Sequence, residues 1–534
     1  MNSRTSFFFA KFLLAVALSI TIASCTSQPT DRLRLIYGLT LSPSGIDPHI
    51  NASAELGIPL RSVYDTLVFL DPQTGEFVPG LAESWTISPD GTRYTFKLRS
   101  DVHFHDGTMF NADAVRANFD YVLNPDHHSQ KAASLLGPVA KVEVIDDYTV
   151  VIILREPFAP LLDALSQVYL GMASPSALAQ WGASEYQFHQ VGTGPYRFIK
   201  YVPDDHILLE RNDEYAWAPE IYQDEKATYQ QIEFRFFEDI ATRSIALESG
   251  SVEILGEIPP LDAGRLADQD EFTLYPIAVP GQPLQYLFNT LAEPTDDITV
   301  RTALIHAVDR QRIVDTLFAS TSPVSRGPLS QVQFGHLLTS ELPEHDLPEA
   351  TRLLHDSGWI RAEDGILRNE NGDPFELHIV APIWGSNPDV AQLLKVAWEN
   401  LGAVVTLEIA PGFGPLREAQ SSGNYNAIGI NFFGTDPDLL RPMFTSSGLY
   451  NWSGYANSDL DRMLQEAAQA SLDPEFRSSL YRQAITHINS QALVLPVRDY
   501  VNLVIAESGI NGLSYTAAGW FPILIDLEPA SSSR

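Results

Sequence analysis

Between Arg93 and Arg99 polar and apolar side chains alternate one by one, the period of a strand with one face on a core. Pro89-Asp90-Gly91 and Asp106-Gly107 are turn signals on either side, so a hairpin or meander is predicted. Arg32–Tyr37 begins with the same alternation and reads as a first strand, followed by a loop with two prolines over Leu41–Ile50. At Asn111 the period changes. Val115, Phe119 and Val122 fall at helical spacing, with Asn111 as the cap. Strands are predicted at Val142–Val144 and Thr149–Leu154, and Val191–Tyr201 reads as a glycine turn opening a strand. Strand Ile232–Phe236, helix Ile240–Ser249 and short strand Val252–Leu255 form a β-α-β unit. A second begins at Gln285, with the strand QYLFN and one helix over Ile298–Phe318. Helices follow at Leu347–Ser357, Asp389–Leu401, Ser458–Ala468 and Glu475–Asn489, with the strand AVVTLEI after Leu401-Gly402. This alternation predicts an α/β protein, with strand-rich Gly80–Leu154 as an insertion and residues Ala530–Arg534 disordered.

The first residues follow another pattern. Arg4 and Lys11 precede a mostly apolar run from Phe12 to Ala23, and no acid occurs before Asp31. Such a run is short for a membrane span, which needs about 20 residues, and suits an export signal. Ile22-Ala23-Ser24-Cys25 resembles the bacterial lipobox, in which the thiol is alkylated by diacylglycerol and the chain is cut before it. Cys25, the only cysteine, would then be the lipidated first residue, with 1–24 removed and 25–30 a tether. The competing reading is a buried cysteine or an ordinary cleavage site. No later segment has the length of a transmembrane helix, and one cysteine allows no internal disulfide.

After cutting, 32 Lys+Arg face 67 Asp+Glu, a net charge of −35. That balance disfavours nucleic acid and anionic lipid and suits an extracytoplasmic protein. The acids form no run and read as a solvated surface.

Catalytic motifs are missing. No lysine follows a glycine, as a phosphate loop requires, and Arg197 stands where a dinucleotide fingerprint after Gly192-Thr193-Gly194 needs its third glycine. There is no Gly-x-Ser-x-Gly elbow, and zinc ribbons and Cys₂His₂ sites are excluded. His103 and His105 would share one side of a strand and could ligate a metal with His127 or His128. The favoured reading is a strand end entering an Asp-Gly turn. The pairs Asp146-Asp147, Asp204-Asp205 and Asp296-Asp297 read as turns or caps. Neither an enzyme nor a cofactor is expected.

Leu81–Pro125, with its strand, turn, strand, His-Asp-Gly turn and Ala-Asp-Val helix, resembles the signature region of the peptide- and nickel-binding solute receptors of ABC importers. The likeness continues in order through Val191–Phe198, Glu210–Trp217, Phe288–Val314, Leu347–Trp359 and Ser453–Ala484. It implies a two-lobed periplasmic-binding-protein-like fold of type II with an extra strand-rich subdomain in lobe I. Lobe I would comprise 31–60, 190–278 and 498–534, the subdomain 61–189 and lobe II 279–497, with hinge crossings near Val279-Pro280 and Val497. The resemblance further implies capture of a peptide between the lobes and delivery to ABC permease and ATPase subunits, by a monomer held at the membrane through Cys25. A nickel chelate, an oligosaccharide or another small solute is the alternative cargo. A sensor or enzyme on the same fold is the alternative class.

Peptide binders of this group hold the ligand amine with a lobe II aspartate in a Trp-x-x-Asp-Tyr-x-x-Pro stretch. The matching stretch here is Ile430–Phe444, about three residues shorter, with Phe433 near the tryptophan and Asp436 and Asp438 both available. Asp436 is the candidate ligand contact, and capping of the next helix is its competing role. Ser42, Ser44 and Gly45 follow the first strand, at the edge where open α/β sheets bind ligands. Tyr286 and Asn289 lie on the first strand of lobe II, and Gly192, Thr193 and Gly194 offer backbone groups. Arg326 is a candidate for a bidentate carboxylate contact. Trp384 is an aromatic wall or a core residue. Asp309 and Arg310 read as a helix end and its surface.

Overall fold

The computed structural model describes residues 33–40, 42–43, 45–333 and 342–529. Cys25, the export segment, Ser44 and the C-terminal Ala530–Arg534 lie outside these residues.

Among the described residues the first lobe is built on a seven-stranded sheet. Its centre is parallel: Arg34–Leu39 lies between Gln231–Phe236 and Ile254–Leu255. Antiparallel strands extend both edges, His206–Arg211 and Tyr196–Val202 on one side, Val501–Glu507 and Phe272–Ala278 on the other. The strand-rich insertion is a four-stranded antiparallel sheet of Ala82–Ile87, Arg93–Leu98, Thr149–Leu154 and Val139–Asp146. Helix Ala112–Leu123 packs on this sheet, and Asn111 caps it by accepting from the Ala114 amide at 2.9 Å. The second lobe holds a five-stranded sheet in the order Val404–Ala410, Glu376–Pro382, Ala427–Gly429, Leu284–Phe288, Val494–Arg498. The chain passes between the large sheets twice, after Ala278 and after Arg498.

Apolar packing follows that division. One cluster joins Leu35, Tyr37 and Phe234 of the seven-stranded sheet to Phe96, Phe119 and Ile152 of the insertion. A second covers the sheet's other side with Leu247, Leu255 and Ile505. Two more flank the five-stranded sheet, around Trp398 and around Tyr481. None of these buried clusters takes members from both lobes.

Two sequence expectations are corrected. The single helix over Ile298–Phe318 is two, Ile298–His306 and Arg310–Phe318. Asp309 breaks it because its carboxylate accepts from the Arg312 amide and starts the second helix. Arg310 is not surface: its guanidinium donates to the Ser325 and Pro343 carbonyls, each at 3.0 Å, and so ties down the segments beyond the helix.

The family-like signature segments pack on one another. His105 N donates to the Gly192 carbonyl and His105 Nε2 contacts the Gly194 carbonyl, both at 2.9 Å. A Cβ on Gly192 would fall 2.0 Å from the Val63 carbonyl oxygen, and one on Gly194 would fall 2.4 Å from that of Ser62, so only glycine permits this approach. Beneath the turn, buried Asp65 accepts from Thr193 Oγ1 at 2.9 Å, Tyr215 Oη at 3.2 Å and Trp217 Nε1 at 2.9 Å. Removing the acceptor strands the buried Thr193 and Tyr215 hydroxyls, while Trp217 Nε1 keeps only the Thr193 carbonyl at 3.1 Å. Asp65→Ala is expected to lower unfolding free energy by about 3 kcal/mol, read as the urea midpoint by tryptophan fluorescence. An unmoved midpoint would show that the lobe does not need this hub.

Candidate ligand cleft

The parallel strands of the first lobe all end on one edge, which sets Thr40, Phe237 and Glu257 side by side. Thr40 Oγ1 donates to the Glu257 carboxylate, and Arg243 reaches the Phe237 carbonyl at 2.9 Å and the Thr40 carbonyl at 3.4 Å. Ser42 Oγ accepts from the Asp204 amide at 3.3 Å. Gly45 sits at φ +153°, where a Cβ would meet the Asn51 side chain at 2.5 Å. The Gly192–Gly194 turn lies at the other end of the sheet, on the Ser62–Val63 backbone, with the Thr193 hydroxyl given to Asp65 and the two glycine carbonyls facing His105.

In the second lobe several candidates serve the scaffold. Tyr286 is buried and donates to the Asn387 carbonyl at 2.9 Å. Asn289 donates to the Tyr425 and Gly423 carbonyls at 3.0 and 3.2 Å. Arg326 is exposed in a recess lined, among the described residues, by the second lobe alone. Asp436 does cap the turn Pro437–Leu440, accepting from the Asp438 amide at 2.8 Å, and its carboxylate pairs with Arg477 at 2.6 Å. Asp438 pairs with Arg441, also at 2.6 Å. The shortened loop therefore presents both aspartates already paired.

Phe433 meets the other lobe. Its ring lies 4.7 Å from that of Tyr500 and 5.4 Å from Trp520, which the last segment of the chain carries. Trp384, 38% exposed, stands just past the end of strand Glu376–Pro382. Polar contacts between the lobes occur at other points too. Tyr500 Oη donates to Asn431 at 3.3 Å, Thr435 Oγ1 donates to Asp163, and the Ala159 amide donates to the Ala468 carbonyl at 2.7 Å. Between Arg61, Gln167, Thr435 and Phe521 a void of only about 30 Å³ remains.

Burial pushes the Asp163 carboxyl up to about 6, and the nearby Asp436 charge adds to this. Burial also raises Glu257 and lowers the Lys131 ammonium to about 8. Sequence reasoning missed Asp163, Thr435, Tyr500, Trp520, Glu257 and Lys131. One signal was present for Asp163, a lone acid within the otherwise apolar run Phe158–Leu165. His105 sits with its ring nitrogen on a carbonyl, and burial lowers its pKa to about 4, so it is neutral. No group of three or more metal-ligating side chains occurs among the described residues, nor any helix long and apolar enough to cross a membrane.

Residues 76–454 match the model of bacterial extracellular solute-binding proteins, family 5 middle. The chain is 29% identical over 497 residues to the glutathione-binding protein GsiB of Salmonella typhimurium, covering 90% of this chain and 91% of that one. The crystal structure of NikA from Brucella suis in complex with Fe(III)-EDTA superposes with a TM-score of 0.82 at 25% identity, covering 93% and 99% of the two chains. DppA from Helicobacter pylori in complex with the peptide STSA has the same fold, with a TM-score of 0.74 at 23% identity over 93% and 98%. Two sheets bearing separate cores, contacts across a cleft, and a family match over most of the chain lead to one statement: this protein belongs to the bacterial extracellular solute-binding proteins of family 5.

Proposed function

We propose that this protein is the extracytoplasmic receptor of an ABC importer, that it encloses a peptide between its lobes, and that it presents the closed form to the permease. The observation that carries this reading is the pairing of two independently packed lobes with polar and aromatic contacts that bridge them. Lobes without a common core can separate at the cost of those contacts alone. A ligand shifts the balance only as far as it binds the closed form better, so it must touch both lobes. The similarity to GsiB favours a short peptide as cargo. The lobe divisions at 31–60, 190–278 and 498–534 against 279–497, with the subdomain at 61–189, belong to this proposal, as do the hinge at the two crossings, the monomeric state and the anchor at Cys25.

Closure carries its own proton linkage. In the closed form Asp163 is buried against Thr435 and near Asp436, with its carboxyl at about 6. Opening returns it to water and toward its ordinary value. Between those values the closed form holds the proton more tightly, so closure is favoured as pH falls through about 6 and that advantage is lost as pH rises through it.

Two measurements test these readings. Protein purified from Thr26 onward without refolding, examined by native mass spectrometry before and after mild denaturation, is expected to release a ladder of masses spaced by amino-acid residues. A single non-peptide mass would replace the peptide reading with another solute. In small-angle scattering the unliganded protein is expected to compact between pH 7.5 and 5, by about a tenfold shift in the closed-to-open ratio. Asp163→Asn, neutral at both values, should stay compact at each. A wild type and variant that respond to pH alike would show that Asp163 is not the titrating latch.

A further inference from the structure

The strand-rich insertion shares a core with the seven-stranded sheet, and it also reaches the second lobe. One short stretch of it makes two of the contacts. The Ala159 amide donates to the Ala468 carbonyl at 2.7 Å, and Asp163 accepts from Thr435 Oγ1. Ala468 lies in the last turn of helix Ser458–Gln469, where carbonyls have no partner within their own helix. Arg477 Nε, from the second lobe itself, reaches the neighbouring Ala467 carbonyl at 3.1 Å. The Ala468 carbonyl is met from across the seam, so the insertion caps a helix of the other lobe.

A second segment of the insertion joins this seam. Gly91 sits in the turn between strands Ala82–Ile87 and Arg93–Leu98, a place that water reaches in a free hairpin, yet it is buried. Ser471, just past the same helix of the second lobe, covers it. A Cβ on Gly91 would lie 3.1 Å from Pro157 and 3.6 Å from Ser471 Oγ. Solvent-open recesses of about 330 and 300 Å³ flank the contact. The first lies between residues 89–91 and 469–473, the second between residues 155–158 and Arg441 and Gln465. Each has one wall from the insertion and one from the second lobe. The groups along this seam touch directly, so no solute has to be present to join them.

We propose that the insertion is a second jaw, which grips the end of helix Ser458–Gln469 and holds part of the population closed before any solute arrives. This rests on the reading of two lobes that close, and it gives the insertion a task in that motion. The affinity a solute shows is its intrinsic affinity scaled by the fraction of protein already competent to hold it. Loosening the grip therefore weakens the binding of every solute by one factor and leaves the preference among solutes unchanged.

The test uses the chain from Thr26 onward, which has no cysteine, with spin labels at Ile145→Cys in the insertion and Ile360→Cys in the second lobe, both exposed positions. Double electron–electron resonance reads the distance between the labels, in protein as purified and after its cargo is stripped by unfolding and refolding. Ser471→Trp wedges the seam from the second lobe. Thr435→Val removes the hydroxyl given to Asp163 while keeping the side chain's shape, and the urea midpoint of each variant guards against a folding defect. The stripped parent is expected to show a closed and an open distance. Each substitution should lower the closed-to-open ratio about tenfold, with the midpoint unmoved. If stripping changes the distances but neither substitution does, or if the stripped parent is wholly open, the grip is wrong and solute-driven closure stands. If the substitutions open the protein but stripping changes nothing, the grip stands and solute-driven closure falls. If no condition moves the distance, both fall.

Discussion

Among the described residues no buried apolar cluster crosses between the lobes, and much else in this molecule follows from that constraint. Apolar burial is non-directional and large, so a shared core would weld the lobes into one body. Here each large sheet keeps its own packing, and the chain crosses between them only twice. Contacts between the lobes include Thr435 on Asp163, Ala159 on Ala468, Tyr500 on Asn431, Gln331 on Asp499, and Phe433 against Trp520. Contacts of this kind are worth little net against water, so a bound solute can decide the balance.

The rigidity that the cleft lacks is supplied inside the first lobe. The insertion shares a core with the seven-stranded sheet, so it moves with that lobe and carries Asp163 to its contact with Thr435 on a fixed frame. The Gly192–Gly194 turn, pressed on the Ser62–Val63 backbone and bonded to His105 and Asp65, locks insertion to sheet. The most recognisable residues of the chain therefore tie the insertion to the sheet.

Most of the fold was legible from periodicity. The alternation at Arg93–Arg99, the cap at Asn111 and the β-α-β order from Ile232 to Leu255 all correspond to observed elements. The break at Asp309 was not, because Ile313 and Val314 continue an apolar face across the break while the carboxylate ends the backbone ladder. The site was far less legible. Asp436 reads identically whether it is free for an amine or bound to Arg477, 41 positions later. Asn289 and Tyr286 sit on a predicted cleft strand, but their polar atoms turn to carbonyls of their own lobe.

What the sequence determined by itself is local: which segments alternate, which cap, which turn requires glycine, and which family the ordered motifs resemble. These depend on neighbours within a few residues, and spacing along the chain records them. Only the tertiary structure decided which charges were already paired, such as Asp436 with Arg477, and which polar groups met across the lobes, such as Thr435 with Asp163. Those outcomes depend on distances between segments that the chain brings together only on folding, and burial then sets the electrostatics of each group.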